Sequence, residues 1–211
     1  MTWNHELKYY YVDCINKLTK MEAIIAKFSV EDYHKMIEAG LLIYRDVELI
    51  NGLILEMSPE GTEHTYIGET LADYFRRLTQ GIAWVREARP ITLTQSEPEP
   101  DIAIVRLPHS LYRSHHPYPE DIYLLIEISH STLKFDTSEK RNTYAAANIQ
   151  DYWVVDVNNK QLIIYRSPIN GLYKNETRLS LDSQVSPLAF PDLNIIAVSY
   201  THLTLPTILL V

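Results

Sequence analysis

A single carboxylate inside an apolar run constrains the fold more than any other feature of the chain. The run extends from Tyr123 to Ser129, and Glu127 is its one ionisable acid. An apolar run of this length is typical of a buried strand. An ionised acid removed from water is costly unless it is paired, hydrogen-bonded or bound to a metal. We therefore expect Glu127 to lie at the edge of a cleft or to serve as a metal ligand.

A second acid opens the preceding apolar segment. Asp101 follows Pro100 and precedes the run from Ile102 to Val105. Proline restricts the backbone of its neighbours, so the acidic connector from Gln95 to Pro100 is expected to be stiff and to fix how the strand begins. Asp101 is thus the expected companion of Glu127.

A helix is predicted immediately after the strand that carries Glu127. Residues Asp136 to Glu139 have the pattern of a capping box, and the helix is expected to continue through Ala147. Side chains in a first helical turn lean toward the N-terminus, so Lys140 should point toward the end of that strand. Two acids and a lysine can hold a divalent cation against a phosphate. The alternative for Lys140 is an ordinary solvated helix lysine.

Composition excludes several classes of protein. With 211 residues, 46% of them hydrophobic, the chain is expected to form one domain with a substantial core. One cysteine, Cys14, excludes an intrachain disulfide framework and a cysteine-based zinc cluster. The formal charge of −8 argues against a protein that coats nucleic acid non-specifically, but it leaves room for a metal-bridged phosphate. We find no signal peptide or membrane helix and expect a cytoplasmic protein.

The two ends of the chain do not continue its patterns. We interpret residues 1–20 as a non-native or disordered extension, with translation starting at Met21. Residues 198–211 resemble a translated adapter sequence and are expected to be an artefactual tail. The single domain is therefore predicted to span residues 21–197.

The remaining elements have local signals. Ser29 to Asp32 predicts the start of a helix that ends at Gly40, and Asn51-Gly52 predicts a hairpin that carries Glu48 and Glu56. Both acids are expected to face solvent, Glu56 more clearly than Glu48. The other predicted elements are a helix over residues 63–80 and strands over 83–93, 151–157, 161–166 and 172–179.

Four histidines between residues 64 and 116 are candidates for a functional role. His64 is placed in the first turn of its helix, where a histidine usually caps or hydrogen-bonds; the alternative is contact with a phosphate or orientation of a carboxylate. His109, His115 and His116 are predicted to be surface residues on a loop that could line the cleft. A zinc site is not expected there, because no spaced cysteine or histidine partner follows.

The motifs together resemble a known family. They are Val47 to Gly52 with Met57 to Pro59, Glu99 to Ile102, Ile126 to Ser129 with Ser131-Thr132, Asp136 to Lys140 with Tyr144, and Tyr152 to Asp156. In this order they resemble the Uma-two family of candidate restriction endonucleases, within the PD-(D/E)XK nuclease superfamily. The resemblance implies a mixed α/β (α+β) fold with a restriction-endonuclease-like αβββαβ core. Its mixed central sheet is flanked by helices, with an N-terminal helix and hairpin and C-terminal hairpin strands added.

The resemblance also implies an activity, that of a Mg²⁺-dependent endodeoxyribonuclease. Asp101 and Glu127 would bind Mg²⁺ or Mn²⁺, Glu48 would be an additional acid, and a lysine would help to activate water and steady the charge on the phosphate. Ser129 occupies the usual lysine place, so this role would pass to Lys140.

DNA is the expected substrate, with RNA as the alternative, and a homodimer could present two sites to a duplex. A binding or assembly module that retains the nuclease fold without catalysis is the alternative. A glycoside hydrolase fits less well, because it needs two acids across a sugar cleft.

Overall fold

The structure is a computed structural model that describes residues 25–180 and 183–196. Its helices are α1 (Val30–Glu38), α2 (Thr62–Leu78), α3 (Leu133–Phe135) and α4 (Arg141–Ala146), with a π turn (Asp136–Lys140) joining α3 to α4 and short 3-10 helices at His109–Arg113 and Pro119–Asp121. Its strands are β1 (Val47–Ile50), β2 (Leu53–Glu56), β3 (Trp84–Glu87), β4 (Ile102–Val105), β5 (Ile122–Ser129), β6 (Asp151–Asp156), β7 (Gln161–Ile169), β8 (Leu172–Ser180), β9 (Gln184–Val185) and β10 (Ile195–Ile196).

A six-stranded sheet in the order β3-β4-β5-β6-β7-β8 forms the centre of the fold. Its neighbouring strands are antiparallel except for β5 and β6, which are parallel. Parallel strands need a crossover connection, and here the crossover is α3, the π turn and α4. The chain order α2, β3, β4, β5, crossover helix, β6 is the predicted αβββαβ core, and the mixed sheet is confirmed. The crossover brings the π turn beside the end of β5.

Two hydrophobic clusters cover the two faces of this sheet. One contains Ile67 and Phe75 of α2 packed with Ile126 and Ile128 of β5. The other includes Leu125 and Tyr144. Because side chains of a strand alternate between faces, Glu127 shares the face of Leu125 rather than that of α2.

The N-terminal elements form as their local signals predict. Ser29 and Asp32 make the reciprocal hydrogen bonds of a capping box at the start of α1. The β1–β2 hairpin turns at Asn51 and Gly52, whose φ angles of 50° and 81° are the positive values that this turn requires. The predictions for residues 1–20 and 198–211 lie outside the described residues. No helix in the described ranges is long and apolar enough to span a membrane.

The strand predicted over residues 83–93 is wrong in its second half. The β3 strand ends at Glu87, because Ala88 takes a left-handed conformation with a φ of 41°. The backbone N–H of Ala88 donates to the carbonyl of Asp101 at 3.1 Å. The chain therefore leaves the sheet beside the start of β4, and Arg89 comes to lie at the mouth of the cleft described below.

Candidate active site

A cleft of about 680 Å³ opens where β4 begins and β5 ends. Its walls come from the β1–β2 hairpin, the start of α2 and the π turn. All four residues predicted for the site line it, namely Glu48, Asp101, Glu127 and Lys140. The cleft is strongly acidic, since its lining contains the carboxylates of Asp46, Glu48, Glu56, Glu60, Glu99, Asp101, Glu127 and Asp136 but only two permanent cations, Arg89 and Lys140.

Glu127 is the most deeply placed of these acids. It is 2% exposed, and its Oε1 accepts a hydrogen bond of 2.7 Å from the hydroxyl of Tyr144. The same oxygen lies 3.1 Å from Nζ of Lys140. Burial raises the pKa of Glu127 well above its ordinary value, and the charge of Lys140 acts in the opposite direction. Both contacts use Oε1, so Oε2 has no hydrogen bond from the residues that the structure describes.

Asp101 lies directly before β4, as its position after Pro100 suggests. Its Oδ2 accepts a hydrogen bond from the backbone N–H of Ile128 and lies 3.1 Å from Nε2 of His64. The Ile128 bond ties Asp101 to the residue after Glu127 and so fixes the two acids relative to each other. Within the described ranges, Oδ1 of Asp101 makes no hydrogen bond. Each acid thus uses one oxygen for positioning and leaves the other without a hydrogen bond.

Glu48 does not face solvent, so the expected exposure of this side chain is wrong. It is 4% exposed, its Oε2 accepts the backbone N–H of Glu99 at 3.2 Å, and the same oxygen lies 3.5 Å from Nζ of Lys140. The reason is a contact between residues distant in sequence. Leu49 of β1 pairs with Glu97, so the acidic connector from Gln95 to Pro100 runs alongside β1 and covers Glu48. Glu56 on β2 is exposed, as predicted.

Lys140 lies between two of the acids rather than in solvent. It is 7% exposed and contacts the carboxylates of both Glu127 and Glu48. Burial alone would lower the pKa of Lys140, but the carboxylates of Glu127 and Glu48 outweigh it and raise the pKa above its ordinary value. The lysine is therefore an ammonium ion across the physiological pH range. The side chain points toward Glu127, as predicted, and its Nζ lies 3.1 Å from Oε1 of that residue.

The capping box predicted at Asp136 is wrong, although a helical segment does follow β5. The helix begins one turn earlier, at Leu133, and Asp136 has helical φ and ψ angles of −67° and −37°. Its Oδ2 instead accepts a hydrogen bond of 2.6 Å from the hydroxyl of Ser129. Ser129, in the usual lysine place, thus anchors the π turn that presents Lys140 one turn further on. π turns inside helices are frequent at functional sites.

The three loop histidines do not line the cleft. His109 stacks on Trp84 with ring centroids 4.4 Å apart, and His115 stacks on Tyr118 at 4.6 Å. Both rings are held among aromatic neighbours of the loop and of β3. The histidine that does line the cleft is His64, which lies beside the carboxylate of Asp101. This position corresponds to the alternative given for His64 in the sequence analysis.

The sequence interpretation missed two acids of the site, Glu60 and Glu99. Glu60, His64 and Asp101 each place one potential ligand atom within 4.8 Å of the others. The spacing of Glu60 and His64, four residues apart at the start of a helix, was a usable signal for a shared face. Glu99 is half-buried, and burial followed by the charge of Glu48 raises its pKa. The sequence carried no signal for the burial of Glu99.

The comparisons with known proteins agree with this architecture. A crystal structure from Anabaena variabilis ATCC 29413, described as "a putative nuclease belonging to DUF820", aligns with 72% of this chain and 87% of its own. The TM-score is 0.55 at 17% sequence identity, which shows a shared fold. No curated protein matches the chain. The family model described as "Uma2: Putative restriction endonuclease" matches residues 30–199. The chain therefore belongs to the Uma2 family.

Proposed function

We propose that this chain is a Mg²⁺- or Mn²⁺-dependent endonuclease that hydrolyses phosphodiester bonds in DNA. One observation carries the proposal: two fixed carboxylates, Asp101 and Glu127, lie in one cleft with the buried ammonium of Lys140. A phosphoryl-transfer site needs anionic ligands for a cation and a positive charge near the phosphate. Glu48, beside the same lysine, is the proposed additional acid.

The donor set fits a hard divalent cation. Mg²⁺ and Mn²⁺ prefer carboxylate oxygens, and Asp101 and Glu127 each have an oxygen without a hydrogen bond from the described residues. These two residues would hold the cation. When bound, it would polarise the scissile phosphate and lower the pKa of a coordinated water.

The protein side chains have separate tasks in this proposal. Lys140, kept protonated by its acidic neighbours, serves as a fixed positive charge rather than as a proton acceptor. It would stabilise the negative charge that develops on the phosphate. Tyr144 holds Glu127 through the 2.7 Å hydrogen bond, and the bond between Ser129 and Asp136 holds the turn that carries the lysine.

Cleavage of supercoiled plasmid DNA tests this function. Purified protein is incubated with DNA and with RNA in Mg²⁺, Mn²⁺ or EDTA, and nicked and linear products are quantified. We expect cleavage with Mg²⁺ or Mn²⁺, none with EDTA, and none from Asp101→Asn. Equal cleavage by folded Asp101→Asn and wild type would show that the proposed site is wrong. Cleavage of RNA alone would reassign the substrate.

A binding or assembly module without catalysis is the second candidate. One observation favours it: Lys140 pairs with both Glu127 and Glu48 and neutralises part of their negative charge. These acids then have less need of a bound cation. Calorimetric titration with Mn²⁺ separates the two functions. Binding that disappears in Asp101→Asn supports the nuclease, and absence of Mn²⁺ binding by wild type supports the module. A cytoplasmic location and a homodimeric assembly stay predictions.

A further inference from the structure

We infer that residues 106–118, together with β3 at the edge of the central sheet, form a basic surface that binds single-stranded DNA beside the cleft. The inference rests on the proposed function and deepens it, because it specifies a single-stranded segment next to the bond to be cleaved. Its first basis is charge. Residues 106–118 contain two arginines and three histidines but no aspartate or glutamate, although the whole chain has 27 acids against 19 lysines and arginines.

The arginines of this surface are not neutralised by ion pairs. Within the described ranges, Arg86, Arg106 and Arg113 form no salt bridge. Elsewhere in the fold, Arg166 and Arg178 each pair with an acid. Arg106 donates only to the backbone carbonyl of Glu120, at 2.9 Å, which does not cancel its charge. Unpaired guanidinium groups attract the phosphates of a nucleic acid.

Arg86 differs from the other two arginines because it is buried. It is 7% exposed, and its Nε is buried with no hydrogen-bond partner among the described residues. The guanidinium carbon lies 5.0 Å from the ring centre of Trp84 and 5.8 Å from that of Tyr112. A charge held among aromatic rings is screened less by salt than a charge in water. Arg86 therefore adds to the positive potential of the surface rather than to an internal ion pair.

Exposed rings on the same segment provide places where bases can stack. Tyr118 is 39% exposed and stacks on His115 with ring centroids 4.6 Å apart. His109 is also exposed and lies 4.4 Å from Trp84. In each case the neighbouring ring holds the exposed ring in place. Stacking of this kind needs a base that is not enclosed in a duplex, so the rings favour a single strand.

The surface is continuous with the cleft. Trp84 and Tyr112 pack against the hydrophobic cluster that contains Leu125, on the sheet face that also carries Glu127. From Trp84, β3 leads into Ala88, which lines the cleft. At about 3.3 Å per residue, the separation along the strand is about 13 Å. This length corresponds to about four base steps of a nucleic acid, so a strand bound in the cleft can reach the rings.

Fluorescence anisotropy of a labelled oligothymidylate of about 16 nucleotides measures this binding in EDTA, without cleavage. We expect the full-length wild type to bind the single strand more tightly than a duplex of the same length. The double variant Arg106→Gln with Arg113→Gln should bind at least about tenfold more weakly at low salt. The slope of log Kd against log salt concentration should become shallower by about 1.4, which is about 0.7 for each lost phosphate contact. Tyr118→Ala should weaken binding at least about fivefold, because a stacked base is lost.

Two matched controls separate this surface from general effects of charge and of aromatic residues. Lys174→Gln with Arg178→Gln changes the net charge equally, and both residues are exposed on β8 at the opposite edge of the sheet. Tyr44→Ala removes a ring that is 96% exposed in the turn after α1. Both controls should bind as wild type does. Circular dichroism melting of each variant verifies that it is folded.

Three results would overturn the inference. The first is no binding of the single strand by wild type, and the second is equal weakening by the two folded double variants, which would mean that net charge alone is sensed. The third is tighter binding of the duplex with unchanged affinity in Tyr118→Ala. Failure of the proposed function is distinguishable, because a protein that binds the single strand through this surface yet cleaves no nucleic acid retains the binding surface and loses only the catalytic assignment.

Discussion

Replacement of Lys140 by methionine should destabilise the protein strongly. Its Nζ lies 3.1 Å from Glu127 and 3.5 Å from Glu48, and the three side chains are only 9%, 3% and 5% exposed. Removing one partner of a buried ion pair leaves an uncompensated charge and costs about 3–5 kcal/mol. We expect the lower value, about 3 kcal/mol, because Glu127 can relieve the strain by taking up a proton. For a chain of this size that corresponds to a fall in Tm of about 6–12 °C.

The pH dependence of this loss gives a second signature. Burial already raises the pKa of Glu127, and Lys140 is the group that opposes this most strongly, so its removal raises the pKa further. A carboxyl whose folded pKa lies above its unfolded pKa loses stability as the pH rises between the two values. The difference in Tm between variant and wild type should therefore be small near about pH 5 and large near about pH 8.

Thermal melts followed by circular dichroism in EDTA, and again in excess Mn²⁺, measure both effects. Added Mn²⁺ should recover part of the lost stability, because a cation would replace the missing positive charge. Lys134→Met is the matched control, since Lys134 is an exposed lysine of α3, which leads directly into the π turn that ends at Lys140. If Lys140→Met melted within about 1 °C of that control at every pH, the buried ion-pair reasoning would be refuted.

Three further substitutions test the groups around the two acids. Ser129→Ala removes the 2.6 Å hydrogen bond to the buried carboxylate of Asp136, and urea denaturation should show a loss of about 1–3 kcal/mol; a loss below about 0.5 kcal/mol would contradict the anchoring role. Tyr144→Phe removes the 2.7 Å hydrogen bond to Glu127 while keeping the ring, and should cost about 1–2 kcal/mol by the same measurement, whereas equal stability would count against this contact. The hydrogen bond to Asp101 raises the pKa of His64 above 6.5. The stability that this pair contributes is therefore complete below pH 6.5 and is lost as the pH rises through the raised pKa. His64→Gln should thus cost more stability at about pH 5.5 than at about pH 8.5, and a cost independent of pH would disprove the pairing.

Elements of the fold that depend on neighbouring residues could be predicted from the sequence. Asn51-Gly52 determines its own turn through positive φ angles, and Ser29 caps α1 through a bond three residues away. The end of β3 could not be predicted in this way. Ala88 adopts its left-handed conformation beside Asp101, thirteen positions further along the chain, and no local pattern encodes that contact.

The same distinction separates the predictable from the unpredictable parts of the site. Glu127 could be identified because a carboxylate within an apolar strand is costly, and its companion because it follows a proline at the start of a strand. The burial of Glu48 depends on the pairing of Leu49 with Glu97, nearly fifty residues away. Asp136 has the sequence pattern of a helix cap, but its carboxylate accepts a hydrogen bond from the buried hydroxyl of Ser129 instead. Tertiary contacts thus decided the residues that sequence patterns placed wrongly.

The most direct test of the proposed function is the rate of Mn²⁺-dependent plasmid cleavage by Glu127→Gln beside Glu139→Gln. The two substitutions are chemically identical, but Glu139 is exposed and does not line the cleft. We predict that Glu127→Gln loses at least about 100-fold in rate, because it removes a proposed metal ligand, and that Glu139→Gln cleaves as wild type does. Equal rates for the two folded variants would contradict the assignment of this cleft as the nuclease active site.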